Sequence, residues 1–313
     1  MTNLSEPIYT DEAAARAHLE AIRWPEGPFC PNCGDTENTH RLEGETHRDG
    51  LLYCRSCRKQ FSVTVGTVFE RSHIPLHKWV LGFHLMAASK KGISAHQLHR
   101  MLGITYKSAW FMAHRIREAM APHNKTPMGG HGKTVEADET YVGGKEKNRH
   151  KAKRFKTHAG GAWGKEIVFT LVERKGQVRS MHTKSVTAAT LRPILVEQLD
   201  KQTKLMTDDA GQYRHMHQDF AHEIVNHGAG EYVRGEAHTN TVEGYFSILK
   251  RGITGTYHYV SEAHLKRYLA EFDFRYNERA ALEVTDDERA RKAIKGSVGK
   301  RLTYRRIDHA SNA

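Results

Sequence analysis

The four cysteines of this chain fall within 28 residues, as Cys30-Pro-Asn-Cys33 and Cys54-Arg-Ser-Cys57, with twenty residues between the pairs. Two CxxC knuckles at this spacing describe a four-thiolate zinc site, because each knuckle bends the backbone so that two sulfurs face one tetrahedral ion. Phe29 precedes one knuckle and Tyr53 the other. That pattern suits a zinc ribbon, whose short strands are too small to fold without metal. Four thiolates leave no open position for a substrate, so the Zn²⁺ is structural. A pair of redox CxxC motifs would need a thioredoxin-like βαβ context, which the flanking sequence lacks. Disulfides are not expected either. The segment MTNLSEPIYTDEAAARAHLEAIRW has no basic start and no apolar core of a secretory signal. The apolar run WVLGFHLMAA is too short to span a bilayer and carries a histidine.

Over 313 residues, Lys and Arg outnumber Asp and Glu by 48 to 36, a net charge of +12 before any of the 22 histidines is counted. A basic balance of this size points to a polyanionic partner held through phosphate contacts. The pattern along the chain is that of an α+β/α/β multidomain protein. Residues 1–27 hold an N-terminal helix, opened by Thr10 or Asp11 and stopped by Pro25, and residues 28–70 the zinc ribbon. Residues 71–122 are helical, residues 123–134 are a Pro- and Gly-rich linker, residues 135–285 form the largest domain, and 286–313 a C-terminal tail.

Within the helical region, Ser94 opens a helix, with Gln97 placed to complete a capping box. That helix ends near Leu102, Gly103-Ile104-Thr105 makes a tight turn, and a second helix runs from Tyr106 to Met120. Ala109, Ala113, Ile116 and Met120 recur at helical spacing and form its buried face, leaving Lys107, His114, Arg115 and Arg117 exposed. A short helix, a glycine-bearing turn and a basic second helix make a helix-turn-helix signature, in which the second helix enters the DNA major groove. Lys107, Arg115 and Arg117 are its DNA-binding candidates. A plain helical hairpin is the alternative. The dense charge run over 145–165 reads as an exposed loop that could grip DNA phosphates.

In the largest domain VEADETYVGG, EIVFTLVERKG and QVRSMHTKSV read as three successive strands. A helix (TAATLRPILVEQL), a strand (KLMTDD), a short helix, a further strand and two long helices follow, describing a mixed sheet flanked by helices. Asp138 lies on the first of these strands, Asp208 ends KLMTDD, and Glu243 sits in the helix HTNTVEGYFSILKR. Two carboxylates at strand ends and a third on a helix can converge to hold hard divalent cations, for which Mg²⁺ (or Mn²⁺) fits the oxygen donor set. A pair of such ions clamps both the attacking and the leaving oxygens of a phosphodiester. Glu136 shares a strand face with Asp138, whereas Glu139 points to the opposite face. Lys250 follows Glu243 by seven residues, nearly the same helix face (about 20° off), where it can hold a DNA phosphate. Tyr141, Tyr213, Tyr245 and Tyr257 do not form the motif set of a tyrosine recombinase.

At these residues the chain resembles the DDE transposases of bacterial insertion sequences, most closely the ISXO-like family with an N-terminal zinc ribbon. The likeness runs through CPNCG and YCRSC, through KGISAHQLHRMLGITYKSAWFMAHRIREAM, and through VEADETYVGGK, TDDAGQY and HTNTVEGYFSILKRG. It implies an RNase H-like catalytic domain with Asp138, Asp208 and Glu243 as its acids and Lys250 as the downstream lysine. It also implies cleavage at the ends of an element, and joining of the freed 3′-hydroxyls to target DNA. The partner would be double-stranded DNA, the location the bacterial cytoplasm at the nucleoid, and pairing of two DNA ends would require a homo-oligomer. Two other functions fit the same residues: a non-catalytic zinc-ribbon/helix-turn-helix regulator, and an RNase H-like nuclease or resolvase that cuts without joining.

Overall fold

A computed structural model of the protein describes residues 3–123, 126–144, 150–153, 164–225 and 238–303. The chain divides into two compact units. One combines Met1–Pro122 with Ala280–Ala313, and the other is His123–Arg279.

In the first unit, helix α1 (Glu12–Arg23) begins where the Asp11 carboxylate accepts the Ala14 N–H at 2.7 Å, and it buries Ala15, Leu19 and Ile22. Strands β1 (Thr39–Arg41), β2 (Leu52–Cys54) and β3 (Lys59–Phe61) form an antiparallel three-stranded ribbon. Phe29 and Phe61 pack edge-on against the buried Trp24. Helix α2 (Leu76–Ala88) is capped from α1, whose Glu12 accepts the N–H groups of Leu76 at 3.0 Å and His77 at 3.4 Å. Helices α3 (Ala95–Leu102) and α4 (Tyr106–Met120) have the expected turn between them, with Gly103 left-handed at φ 58°. Ser94 and Thr105 each accept a backbone N–H three residues on, at 3.2 Å.

Two expectations are corrected in this unit. Arg115 and Arg117 are not on an exposed face: they are 7% and 2% exposed. The Arg115 guanidinium donates to the carbonyls of Val68 at 2.9 Å, Glu70 at 3.0 Å and Leu302 at 3.2 Å, so it ties three segments together. His114 is buried as well, against the Trp110 ring, whereas Lys107 is exposed as expected. The C-terminal segment is also more than a tail. It contains a helix, Asp286–Lys295, opened by a Thr285/Glu288 capping box and packed on α2 with Ala290, Ala293 and Ile294 buried. Arg289 from this helix donates to the Ala87 carbonyl at 3.2 Å. The second correction explains part of the first. The second half of α4 is covered on several sides, by chain that returns from 160 or more residues away.

The second unit is built on a five-stranded sheet: β4 (Thr134–Val142), β5 (Glu166–Glu173), β6 (Val178–Thr183), β7 (Lys204–Asp208) and β8 (Ala221–Val225). Its order is β6-β5-β4-β7-β8, with β4–β5–β6 an antiparallel meander and β7 and β8 parallel to β4. Three antiparallel strands continued by two parallel ones on the far side of the first strand make an RNase H-like sheet. Helix α5 (Ala188–Gln198) lies between β6 and β7 in the chain, and α6 (Asn240–Gly252) and α7 (Glu262–Asn277) follow β8. Alternation along the strands makes two cores. Val135, Ala137, Phe169 and Leu171 meet Leu191 and Leu195 of α5 on one face. Val142, Val168 and Val172 meet Val242, Leu249, Leu265 and Phe272 of α6 and α7 on the other.

The expected linker of residues 123–134 is partly absorbed into this unit. Met128 is buried and bridges Leu199, and the Gly130 N–H donates to Thr203 Oγ1 at 2.9 Å. Gly129 has φ 84°, and a Cβ there would lie 2.1 Å from Thr203 Oγ1. This glycine therefore serves close packing on the unit's edge. Most of the 145–165 basic segment lies outside the described residues.

Candidate active site

The ribbon cysteines come together from β2 and from the turns beside it. Cys30 Sγ lies 3.6 Å from Cys57 Sγ, Cys33 Sγ lies 3.6 Å from Cys54 Sγ, and all four sulfurs are within 4.8 Å of one another. Tetrahedral zinc with bonds of about 2.3 Å requires sulfurs about 3.8 Å apart, so the cluster fits the ion. Burial works against ionisation of Cys30. The backbone N–H groups of Asn32 and Cys33 and the neighbouring thiols outweigh it and bring this thiol down to about 6, whereas Cys33 and Cys57 are pushed up, so without a cation the crowded thiols do not all ionise together.

The acidic residues gather by topology instead. The ladder between β4 and β7 runs parallel from Thr134↔Lys204 to Glu136↔Met206. Two residues further on, Asp138 and Asp208 stand at the same level on adjacent strands. There β7 ends, and the chain turns away with the Asp208 carboxylate accepting the Ala210 N–H at 3.1 Å. A crevice opening at the carboxyl ends of parallel strands is where open sheets of this kind place their sites. Asp138 lies mid-strand in β4, which continues to Val142 along β5. It is the end of pairing with β7, not the end of β4, that exposes the position.

Burial, and then the charges of Glu139, Asp208 and Glu243, push the Asp138 carboxyl up to about 7, against a lowering bond from the Glu139 backbone N–H. Asp138 therefore feels both other members of the expected trio. Glu243 lies in the first turn of α6, and Glu243 and Lys250 are both exposed on that helix. The trio is not drawn as tight as the thiols. Among the described residues, the groups whose ligand atoms all fall within 4.8 Å are the four cysteines and Glu166–His182–Glu262. A wider spacing is what ligands shared between two ions about 3.5–4 Å apart would have, and it relieves repulsion between carboxylates. In the Glu166 group, His182 Nε2 is 2.7 Å from Glu166 Oε2, a cross-strand hydrogen bond between β5 and β6.

Two further carboxylates in β4 went without a role in the sequence reading. Glu136 is fully buried and accepts from Thr241 N–H at 2.8 Å, Val242 N–H at 3.0 Å, Thr241 Oγ1 at 2.7 Å and Arg174 Nε at 2.7 Å. Glu139, on the opposite face as expected, accepts from Gln212 Nε2 at 2.6 Å and from the hydroxyl of the buried Tyr213. Burial raises the Glu139 carboxyl, with the Tyr213 and Gln212 bonds opposing. Charged residues at three of four successive positions in an otherwise apolar central strand were the available signal.

Residues 10–60 match a transposase zinc-ribbon domain and residues 129–277 an ISXO2-like transposase domain. An uncharacterized protein in transposable element ISH50 of Halobacterium salinarum is 30% identical over 280 residues, spanning 85% of this chain and 91% of that protein. Among solved structures, a pre-cleavage Mos1 transpososome shares 13% identity over 64% of this chain and 70% of that one, with a TM-score of 0.27. A simian T-cell lymphotropic virus intasome in complex with PP2A regulatory subunit B56 gamma shares 14% identity over 56% of this chain and 63% of that one, with a TM-score of 0.27.

The zinc-ribbon and transposase-domain matches, together with the transposable-element relative, make this chain a DNA transposase. Within that class, the chain belongs to the ISXO2-like DDE transposase family.

Proposed function

We propose that the protein cleaves the ends of an insertion sequence and joins the freed 3′-hydroxyls to target DNA, with Asp138, Asp208 and Glu243 as ligands for Mg²⁺ or Mn²⁺. The supporting observation is the register that sets Asp138 beside Asp208 where β7 ends; burial first, and then the charges of Glu139, Asp208 and Glu243, push the Asp138 carboxyl up to about 7. Mutually repelling carboxylates where β7 ends beside β4 are poised to gain from a multivalent cation. Bound divalent ions would supply activation of the attacking water or 3′-hydroxyl and stabilisation of the leaving oxygen. The chain's own groups do the positioning. The rigid β4–β7 pair fixes two carboxylates, α6 brings Glu243 from another direction, and the exposed Lys250 seven residues on neutralises a DNA phosphate.

Double-stranded DNA is the substrate, and the +12 charge supports its capture. The helical pair α3–α4 contributes DNA contacts through its exposed rim, where Arg100, Tyr106 and Lys107 lie. Handling two ends at once makes a homo-oligomer the working form. The test is purified protein with Mg²⁺ and a duplex carrying the element's terminal repeat. Cleavage and a joined product are expected, both lost in Asp138→Ala. Undiminished cleavage in that variant would refute the assignment, and cutting with no joined product would favour a nuclease or resolvase.

A further inference from the structure

We infer that Glu136 and Glu139, the two glutamates flanking Asp138, are positioning residues that hold the other two acidic elements in register with it. The inference rests on the reading of Asp138, Asp208 and Glu243 as metal ligands.

Thr239, at the start of helix α6, makes no side-chain capping bond. The first N–H groups of a helix need acceptors, and a carboxylate there also meets the positive end of the helix dipole. Glu136 supplies both from a strand 105 residues away, accepting the Thr241 and Val242 N–H groups. Its charge is compensated by Arg174, which also donates to the His238 carbonyl at 2.9 Å just ahead of the helix. Glu136 and Asp138 lie two residues apart on one face of β4, and Thr241 and Glu243 two residues apart in the first turn of α6. The bonds between Glu136 and α6 therefore set where Glu243 stands relative to Asp138.

Glu139 does the equivalent work on the other face. Its oxygens hold Gln212 and Tyr213, four and five residues past Asp208, in the 3-10 turn Gly211–Tyr213. Tyr213 is fully buried, so this bond pins the turn that follows β7. One strand thus carries a proposed ligand, Asp138, with an anchor for each of the other two on either side. Groups that orient metal ligands through hydrogen bonds change metal affinity about 10–100-fold when removed.

The test is titration of full-length, zinc-loaded protein with Mn²⁺, followed by electron paramagnetic resonance, with thermal unfolding measured in parallel. Glu136→Gln and Tyr213→Phe should each weaken Mn²⁺ binding about ten-fold or more. Thr241→Val removes only the hydroxyl donor to Glu136 and carries the first arm if Glu136→Gln does not fold. Val178→Ala, in the core on β6 at the sheet edge away from β7, is the control for lost stability alone and should leave Mn²⁺ affinity unchanged. Wild-type Mn²⁺ affinity in the anchor variants, or an equal loss in Val178→Ala, would overturn the inference. Absence of Mn²⁺ binding in the wild-type protein would instead sink the metal reading, and this inference with it.

Discussion

The ribbon thiols and the acids proposed as catalytic ligands set the same problem, placing like-charged groups near one another, at opposite ranges of sequence. Four thiols come from 28 residues and from knuckles whose spacing already dictates the turn, and their sulfurs stand at tetrahedral distances. The acids come from residues 138, 208 and 243. They are brought together by a parallel ladder, a strand end and a helix whose start is held by Glu136. Local encoding yields a tight cluster that needs its metal to fold, whereas non-local encoding yields a looser one on a frame that folds through two apolar cores. The lesson is that metal is structural where the core is too small to stand alone. Where a large scaffold stands first, its carboxylates can be kept apart and under electrostatic tension.

The largest effect should fall on the ribbon. Structural zinc in small domains is worth about 10 kcal/mol or more, so chelation or Cys54→Ser should unfold residues 28–60. Hydrogen exchange should show β1–β3 losing protection while β4–β8 keep theirs; equal loss in both regions would break the contrast. Next in size, Asp138→Ala, Asp208→Ala and Glu243→Ala should each lower DNA-end cleavage about 10³-fold or more without unfolding the sheet. A gel-based cleavage assay alongside circular dichroism checks both halves of that statement.

A smaller effect concerns pH. The Asp138 carboxyl titrates near 7 in the folded, metal-free protein, above its ordinary value of 3.8, chiefly through burial. The folded state therefore holds its proton more tightly than the unfolded chain does. That contribution to stability is fully present below about pH 4 and is lost as pH rises through 7. Zinc-loaded protein without Mg²⁺ or Mn²⁺ should melt roughly 5 °C higher at pH 5.5 than at pH 8, and Asp138→Asn should raise the pH 8 value and flatten the dependence. The burial-raised Glu139 and Asp273 act in the same direction. A melting temperature that climbs with pH would contradict the tension assigned to the site.

The smallest effects separate surface from interior arginines and lysines. Arg115→Ala should cost about 2 kcal/mol of stability, since it deprives three carbonyls of a charged donor. Lys250→Ala should leave metal affinity unchanged and reduce the salt dependence of DNA binding by about one unit of slope. Filter binding across a salt series reads the second, and equal loss of metal and DNA affinity would make Lys250 structural.

The same contrast governs what could be read from the residues. The ribbon, the turn at Gly103 with its Ser94 and Thr105 caps, and the strand pattern around Asp138 and Asp208 are local signals, and the described elements follow them closely. What escaped was set by distant chain. Arg115 and Arg117 looked exposed because one apolar stripe on α4 marks one buried face. Segments near Val68 and Leu302 and the C-terminal helix then bury more of it. The glycines near 129 looked like linker because close approach and flexibility use the same residue type. Glu136 shows in the sequence only as a neighbour of Asp138 on one strand face, since nothing near it in the chain reveals that its partners are Arg174 and Thr241.

The most direct measurement is manganese anomalous scattering from crystals of the full-length protein soaked in Mn²⁺. Anomalous density is expected between the carboxylates of Asp138, Asp208 and Glu243, at the carboxyl end of β7 beside the middle of β4. Density confined to Glu166, His182 and Glu262, or none at the crevice at saturating Mn²⁺, would contradict it.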